Sequence, residues 1–333
     1  MRGEIFDLEE DRLRNEIRRR GARRVLLQLP EGLKPHGLRL ASIIEDAGAT
    51  AIISGDPCYG ACDIAISEAK ELNADLIVHY GHSKMLSEVD VPVVYFEAYA
   101  RIPVGEAVKR SLSLLKRWSR IGLATTIQHI KSLDEARRIL SSEGKTVYVG
   151  CASPGLRPGQ VLGCNYDNAK AISSDVEAFL FIGGGRFHPL GLALTTMKPV
   201  VAADPFTGKA YRLDDDAWRL LRRRWAEIEE AGRAETIGVI VGLKPGQRRL
   251  AEALKVRDEL TRMGKPAHIL AMREITPESL ENFSCFGAFV NTACPRVSLD
   301  ADSAFQRPVL TLKEAYVMLG KLSWEDLLRN GII

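Results

Sequence analysis

The sequence predicts an α/β protein of three similar parallel-sheet domains set around a pseudo-threefold axis, and three observations predict it. Short apolar runs of strand length alternate with helical runs along nearly the whole chain, which is the pattern of parallel sheets joined by right-handed crossovers. The fourth run of each set begins alike, as Pro92-Val93-Val94, Pro199-Val200-Val201 and Pro308-Val309-Leu310, at intervals of 107 and 109 residues. A period near ~110 residues is too long for a solenoid and suits a small α/β domain. The chain has 333 residues and is 46% hydrophobic, enough to bury the cores of two or three such domains.

Residues 4–20 read as a helix, with Ile5, Leu8, Leu13 and Ile17 at 3–4 spacing and a basic end at Arg18, Arg19 and Arg20. The first domain then offers apolar, Gly/Pro-bounded strands over 24–30, 50–56, 75–81 and 91–97, with a helix over 37–47. The second repeats the pattern with strands over 121–127, 145–151, 178–184 and 198–204, and a helix over 133–142. The third has strands over 237–243, 266–272, 288–294 and 307–312, and a helix over 248–263. Residues 218–231 read as a helix linking the second and third domains. Ser323, ahead of Glu325, Asp326, Leu327 and Leu328, caps a short helix in the tail. The expected domains are therefore 1–102, 103–207 and 208–333.

Lys plus Arg number 46 and Asp plus Glu 43, a net charge of +3. A balance so close to neutral gives no signal for nucleic acid or for a membrane surface. The N-terminal stretch is too charged for a secretory apolar region, and no apolar run approaches the ~20 residues that span a bilayer. The expected location is the cytoplasm, where the six cysteines, at 58, 62, 151, 164, 285 and 294, would be reduced.

In open α/β sheets ligands gather beyond the carboxyl ends of the strands. Cys62, Cys164 and Cys294 each stand at such an edge, one per domain, in polar loops bearing Gly or Pro. Three domains around one axis would aim three thiolates at one point. Cys151 and Cys285 read as small buried hydrophobes. Cys58 reads either as a loop thiol or as an auxiliary ligand. Cys58 and Cys62 have C-x3-C spacing, but Ala65 stands where the third ligand of an ordinary radical S-adenosylmethionine loop would be. Three thiolates suit zinc, with a further ligand or a water, or a [4Fe-4S] cluster with one open iron. The residues do not choose between them.

His82 and His188 end equivalent strands and are candidates for lining a site, against the plainer reading of satisfied histidines. Gly183-Gly184-Gly185-Arg186 lacks the GxGxxG spacing and suits close backbone approach. Lys244-Pro245-Gly246-Gln247-Arg248 opens a helix after a strand, a place where an anion can bind. Pro30-Glu31-Gly32-Leu33 holds the matching place in the first domain.

Taken together, QLPEGL at 28–33, GAC at 60–62, HYGHS at 79–83, VLGCN at 161–165, GGGRFHPLG at 183–191 and ACPRVS at 293–298 form a specific set. In this order, over about residues 23–320, the chain resembles the archaeal diphthamide-synthesis enzymes. These are 3-amino-3-carboxypropyl transferases acting on translation elongation factor 2. The resemblance implies a homodimer of three-domain subunits and a [4Fe-4S] cluster on Cys62, Cys164 and Cys294. Eukaryotic relatives carry a further cysteine after HYGHS; Lys84 stands here and takes no metal role. The implied reaction is one-electron cleavage of the S–Cγ bond of S-adenosylmethionine, and addition of the resulting fragment to C2 of a histidine imidazole. It needs an electron donor, which the resemblance does not identify. Lys244, Gly246, Gln247, Arg248 and Arg296 are expected to hold the amino-acid part of the substrate, and Gly184, Arg186 and His188 to line the pocket.

The nearest rival is quinolinate synthase, which shares the three-domain, three-cysteine architecture but uses its open iron as a Lewis acid. A zinc-bound scaffold without catalysis is a rival of another class. An iron–sulfur sensor would need a basic nucleic-acid surface that the charge balance does not offer.

Overall fold

The computed structural model describes residues 5–87, 89–300 and 305–333. A short strand β1 (Phe6–Asp7) and a helix over Glu10–Arg20 precede the first sheet. That sheet holds β2 (Arg24–Gln28), β3 (Thr50–Ile53), β4 (Leu76–Tyr80) and β5 (Val93–Phe96), and β6 (Tyr99–Ala100) returns antiparallel to β1. The second sheet holds β7 (Arg120–Thr125), β8 (Thr146–Val149), β9 (Ala178–Ile182), β10 (Val200–Asp204) and β11 (Lys209–Arg212). The third holds β12 (Ile237–Gly242), β13 (Ala267–Met272), β14 (Ala288–Asn291) and β15 (Val309–Thr311).

All twelve expected strands form, and each sheet has the same order, second–first–third–fourth, with parallel pairing throughout these four strands. The repeat extends to packing. Gly122 pairs with Phe179 in the second sheet, and Gly238 with Phe289 in the third. A Cβ at Gly122 would fall 2.4 Å from the Phe179 ring, and one at Gly238 2.7 Å from the Phe289 ring. In both sheets the aromatic ring lies across its neighbouring strand and only glycine leaves room.

Several boundaries differ from expectation. The first helix starts at Glu10, because residues 6 and 7 are drawn into the β1–β6 ladder. β11 adds an antiparallel edge to the second sheet, so that sheet is not purely parallel. β14 stops at Asn291, and Cys294 instead precedes a short helix over Pro295–Leu299. Asn291 turns the chain there: its Oδ1 accepts from the Ala293 N–H at 2.9 Å and its Nδ2 donates to the Cys294 carbonyl at 2.7 Å. Cys151 and Cys285 are exposed rather than buried, since β8 ends at Val149 and Cys285 follows the helix over Pro277–Glu281.

Successive side chains of each sheet feed opposite cores. In β9, Phe179 and Phe181 enter one, while Ala178, Leu180 and Ile182 enter the other. The linking helix runs over Asp214–Arg233, longer than expected, with Asp214, Asp215 and Asp216 in its first turn favouring that end of the helix dipole. Its Leu220 and Leu221 pack in the second domain's core, and its Ile228 and Ala231 against Ala288 and Leu310 of the third. Arg224, 1% exposed, anchors its middle through Glu314 and the carbonyls of Ser298 and Val309. The tail helix, over Trp324–Asn330 and capped by Ser323, returns to the second domain, where Leu327 and Ile332 join Phe179 and Leu192.

Candidate metal centre

The three sheets meet at the loops beyond their carboxyl ends. First and second are joined by Gln128, whose Nε2 donates to the Gly81 carbonyl at 2.6 Å, and by Gln160 Nε2 donating to Ser83 Oγ at 3.3 Å. Second and third are joined where the Arg296 guanidinium lies 4.8 Å over the Phe187 ring. Third and first are joined where the Gly246 N–H donates to the Cys62 carbonyl at 2.8 Å.

These seams hold the three expected thiols. Cys62 lies in the turn after β3, and the third domain's 3₁₀ turn over Pro245–Gln247 sits directly on it. Gln247 Nε2 donates to the Cys62 Sγ at 3.4 Å. Lys244, 5% exposed, locks the same seam: its Nζ reaches Glu274 at 2.9 Å and Asp63 at 3.3 Å, and lies 4.0 Å over the Tyr59 ring. Cys164 follows Gly163, where a Cβ would fall 2.7 Å from the Phe187 ring. Phe187 thus bridges the Cys164 loop and Arg296, two residues beyond Cys294.

The thiols feel one another. Burial raises the Cys62 thiol, and the Gln247 hydrogen bond opposes that rise. Cys164 is raised to about 11, first by desolvation and then by the neighbouring Cys294 and Cys62. Its residue is nonetheless exposed, so the group of thiols is open to solvent on its side. Burial also raises Cys294, whose rise the backbone N–H of Arg296 opposes. All three are therefore protonated in the bare protein, and metal uptake would release protons.

Their spacing bears on the metal. Among the described residues, the three Sγ atoms do not all lie within 4.8 Å of one another, a span that Cys58, His79 and His82 do meet. Tetrahedral zinc with bonds of about 2.3 Å would hold its sulfurs about 3.8 Å apart. One thiol per domain, near enough to act on one another, fits a cluster with three cysteine ligands.

The other expected residues divide. His188 lies near Arg296 and His82: burial lowers it to about 4, with those two groups adding to the effect, and its ring stacks on Phe181. Gly246, Gln247 and Lys244 act on the Cys62 loop. Gly184 packs on Phe206, whose ring would lie 2.9 Å from an added Cβ. Arg186 turns to Asp216 and lies 5.1 Å over the Tyr211 ring. The Arg248 Nε folds back to the Leu243 carbonyl at 3.1 Å. Its neighbour Arg249, which sequence reasoning passed over, is the cation near enough to Cys164 to act on it. Sequence reasoning also missed the chain behind His82. Gln28 Oε1 meets His79 Nδ1 at 2.9 Å, and His79 Nε2 meets His82 Nδ1 at 3.0 Å. The register that pairs Gln28 with His79 in adjacent strands was the signal available for it.

Comparison with known proteins agrees with this geometry. A family model described as "Putative diphthamide synthesis protein" matches residues 29–328. The chain is 43% identical over 318 residues to the 2-(3-amino-3-carboxypropyl)histidine synthase of Pyrococcus horikoshii, covering 95% of this chain and 91% of that protein. It is 32% identical over 316 residues to subunit 1 of the Gallus gallus synthase, covering 93% and 76%. A crystal structure of Pyrococcus horikoshii Dph2 with a 4Fe-4S cluster superposes with a TM-score of 0.88 at 41% identity, covering 96% of this chain and 93% of that one. With a match across nearly the whole chain and a relative of this identity aligned over most of its length, the protein belongs to the diphthamide synthesis protein family.

Proposed function

We propose that this protein transfers the 3-amino-3-carboxypropyl group of S-adenosylmethionine to C2 of a histidine imidazole of translation elongation factor 2, the first step of diphthamide biosynthesis. The observation that carries this reading is that Cys62, Cys164 and Cys294, each from a loop of a different sheet, lie near enough to act on one another. Bound on these three thiolates, a [4Fe-4S] cluster has one iron free for the substrate and supplies the electron that breaks the S–Cγ bond, giving methylthioadenosine and the carboxypropyl fragment.

The chain's own residues supply position. Lys244, tied to Asp63 and Glu274, fixes the turn from which Gly246 and Gln247 hold Cys62. Arg296 and Arg249, which act on Cys294 and Cys164, would bind the substrate's carboxylate. Gly184 and His188 would line the pocket, and Arg186 and Arg248 would join them only by leaving Asp216 and the Leu243 carbonyl. Burial keeps His188 neutral near pH 7, so it could accept the C2 proton once the adduct radical has returned one electron to the oxidised cluster and become strongly acidic. Closely held geometry is what selects the S–Cγ bond over the other two bonds to the sulfonium. The same reading takes the protein as a homodimer served by a one-electron donor.

The test is anaerobic incubation with reductant, carboxypropyl-labelled S-adenosylmethionine and archaeal elongation factor 2. Label on one histidine with release of methylthioadenosine is expected. A cluster-loaded protein that releases no methylthioadenosine would overturn the reading, and would favour a Lewis-acid role like that of quinolinate synthase.

A further inference from the structure

We propose that Cys58, His79 and His82 form a second cation site, distinct from the three cluster thiols, that takes one borderline-soft divalent ion of the Zn²⁺ class. Their ligand atoms all lie within 4.8 Å of one another. They come from two segments: Cys58 from the loop after β3, His79 from the end of β4, and His82 from the turn beyond it.

The surroundings are built for coordination. The Gln28 amide is fixed in one orientation, because its Nε2 donates to the Asp63 carbonyl at 2.7 Å and its Oε1 accepts from the Ala65 N–H at 3.2 Å. Oε1 must then accept from His79 Nδ1, 2.9 Å away. That places the ring hydrogen on Nδ1 and turns the Nε2 lone pair toward His82 Nδ1. A histidine whose outer nitrogen donates to a fixed carbonyl is the usual support of a metal ligand. In the bare protein one hydrogen bridges the two rings at 3.0 Å. A tetrahedral ion with bonds of about 2.0 Å would take that hydrogen's place, the hydrogen moving to His82 Nε2, and spread the nitrogens to about 3.3 Å, a small change.

Burial eases metal uptake at the imidazoles and opposes it at the thiol. His79 is fully buried and Cys58 is 4% exposed. Burial lowers both imidazoles, His82 to about 4, so their lone pairs are free near pH 7. Burial raises the Cys58 thiol to about 12, so the ion enters as the thiol proton leaves. One thiolate and two imidazoles with a fourth position for water suit Zn²⁺ or Co²⁺ better than Mg²⁺ or Ca²⁺. Three residues separate Cys58 from Cys62, so a filled site would tie the loop that carries the cluster ligand to the end of β4.

Two measurements test this. The full-length Cys62→Ala/Cys164→Ala/Cys294→Ala variant, stripped with a chelator, is titrated with Co²⁺. One ion per chain is expected, with tetrahedral ligand-field bands and a thiolate-to-cobalt charge-transfer band. Adding Cys58→Ser should remove that band and weaken binding by at least about tenfold. Second, cluster-loaded wild-type protein grown with zinc is assayed for bound metal, which does not depend on the triple variant folding. About one zinc per chain beside the cluster is expected, lost in Cys58→Ser. Absence of the charge-transfer band, or zinc below a tenth of an equivalent or insensitive to Cys58→Ser, overturns the proposal.

Discussion

Gly246 is where the third domain presses closest on a cluster ligand, so Gly246→Ala is the sharpest perturbation of the site. An added Cβ would fall 2.7 Å from both Cα and Cβ of Cys62 and 3.1 Å from its carbonyl oxygen. Carbon atoms rest at about 3.5–4.0 Å, so one side of the seam must retreat by about 1 Å. Such overpacking costs about 1–3 kcal/mol. The retreat also stretches the 2.8 Å bond from the Gly246 N–H to the Cys62 carbonyl, a further loss of about 0.5–1.5 kcal/mol. Replacing glycine restrains the unfolded chain and returns about 0.4–1 kcal/mol. The net expectation is a loss of about 0.5–4 kcal/mol in urea unfolding, with reduced iron and sulfide content because the Cys62 sulfur moves relative to Cys164 and Cys294. Gly32 holds the equivalent place in the first domain, and an added Cβ there meets nothing within 4 Å. Gly32→Ala should therefore stay within about 0.5 kcal/mol of wild type with full iron. If the two variants behave alike, Gly246 does not hold Cys62 and the account of this seam is wrong.

Other outcomes follow from the same structure. Cys62→Ala, Cys164→Ala and Cys294→Ala should each lose the intact cluster absorption, while Cys285→Ala, at an exposed position, should keep it. Arg249→Ala should raise KM for S-adenosylmethionine with iron content unchanged, and Arg248→Ala, whose side chain folds back on Leu243, should change KM less. Arg224→Met leaves Glu314, which has no exposed surface, as an uncompensated buried charge, and should lower unfolding stability by about 3–5 kcal/mol. His82, His129 and His188 are each lowered by burial to about 4 in the fold. The unfolded chain therefore binds more protons between about pH 6.5 and 4, and the cluster-free protein should lose stability as pH falls through that window, as urea midpoints would show. A flat profile there would mean that these rings are not neutral in the fold.

The repeat was legible because its signal is redundant: apolar runs, Gly/Pro breaks and the Pro-Val pairs at 92, 199 and 308 all report one unit. The cysteines were legible as a set because each lies past a strand end. What escaped the reading depends on side-chain direction. Arg248 and Arg249 are indistinguishable in sequence, and only the backbone entering the helix over Leu250–Arg262 turns one back and the other toward Cys164. β11 and the β1–β6 ladder are short and half-exposed, so they carry no apolar run. The Gln28–His79–His82 chain required the strand register, which sequence spacing alone does not give. Cys151 and Cys285 looked like core because apolar residues flank them, but β8 ends before Cys151 and β14 begins only after Cys285.

Anomalous diffraction at the iron edge from crystals grown anaerobically tests the central claim most directly. The account predicts a single [4Fe-4S] cube with three irons bonded to the sulfurs of Cys62, Cys164 and Cys294, and the fourth without a protein ligand. Iron elsewhere, a lone zinc on those three sulfurs, or thiols pointing into separate cores would contradict it.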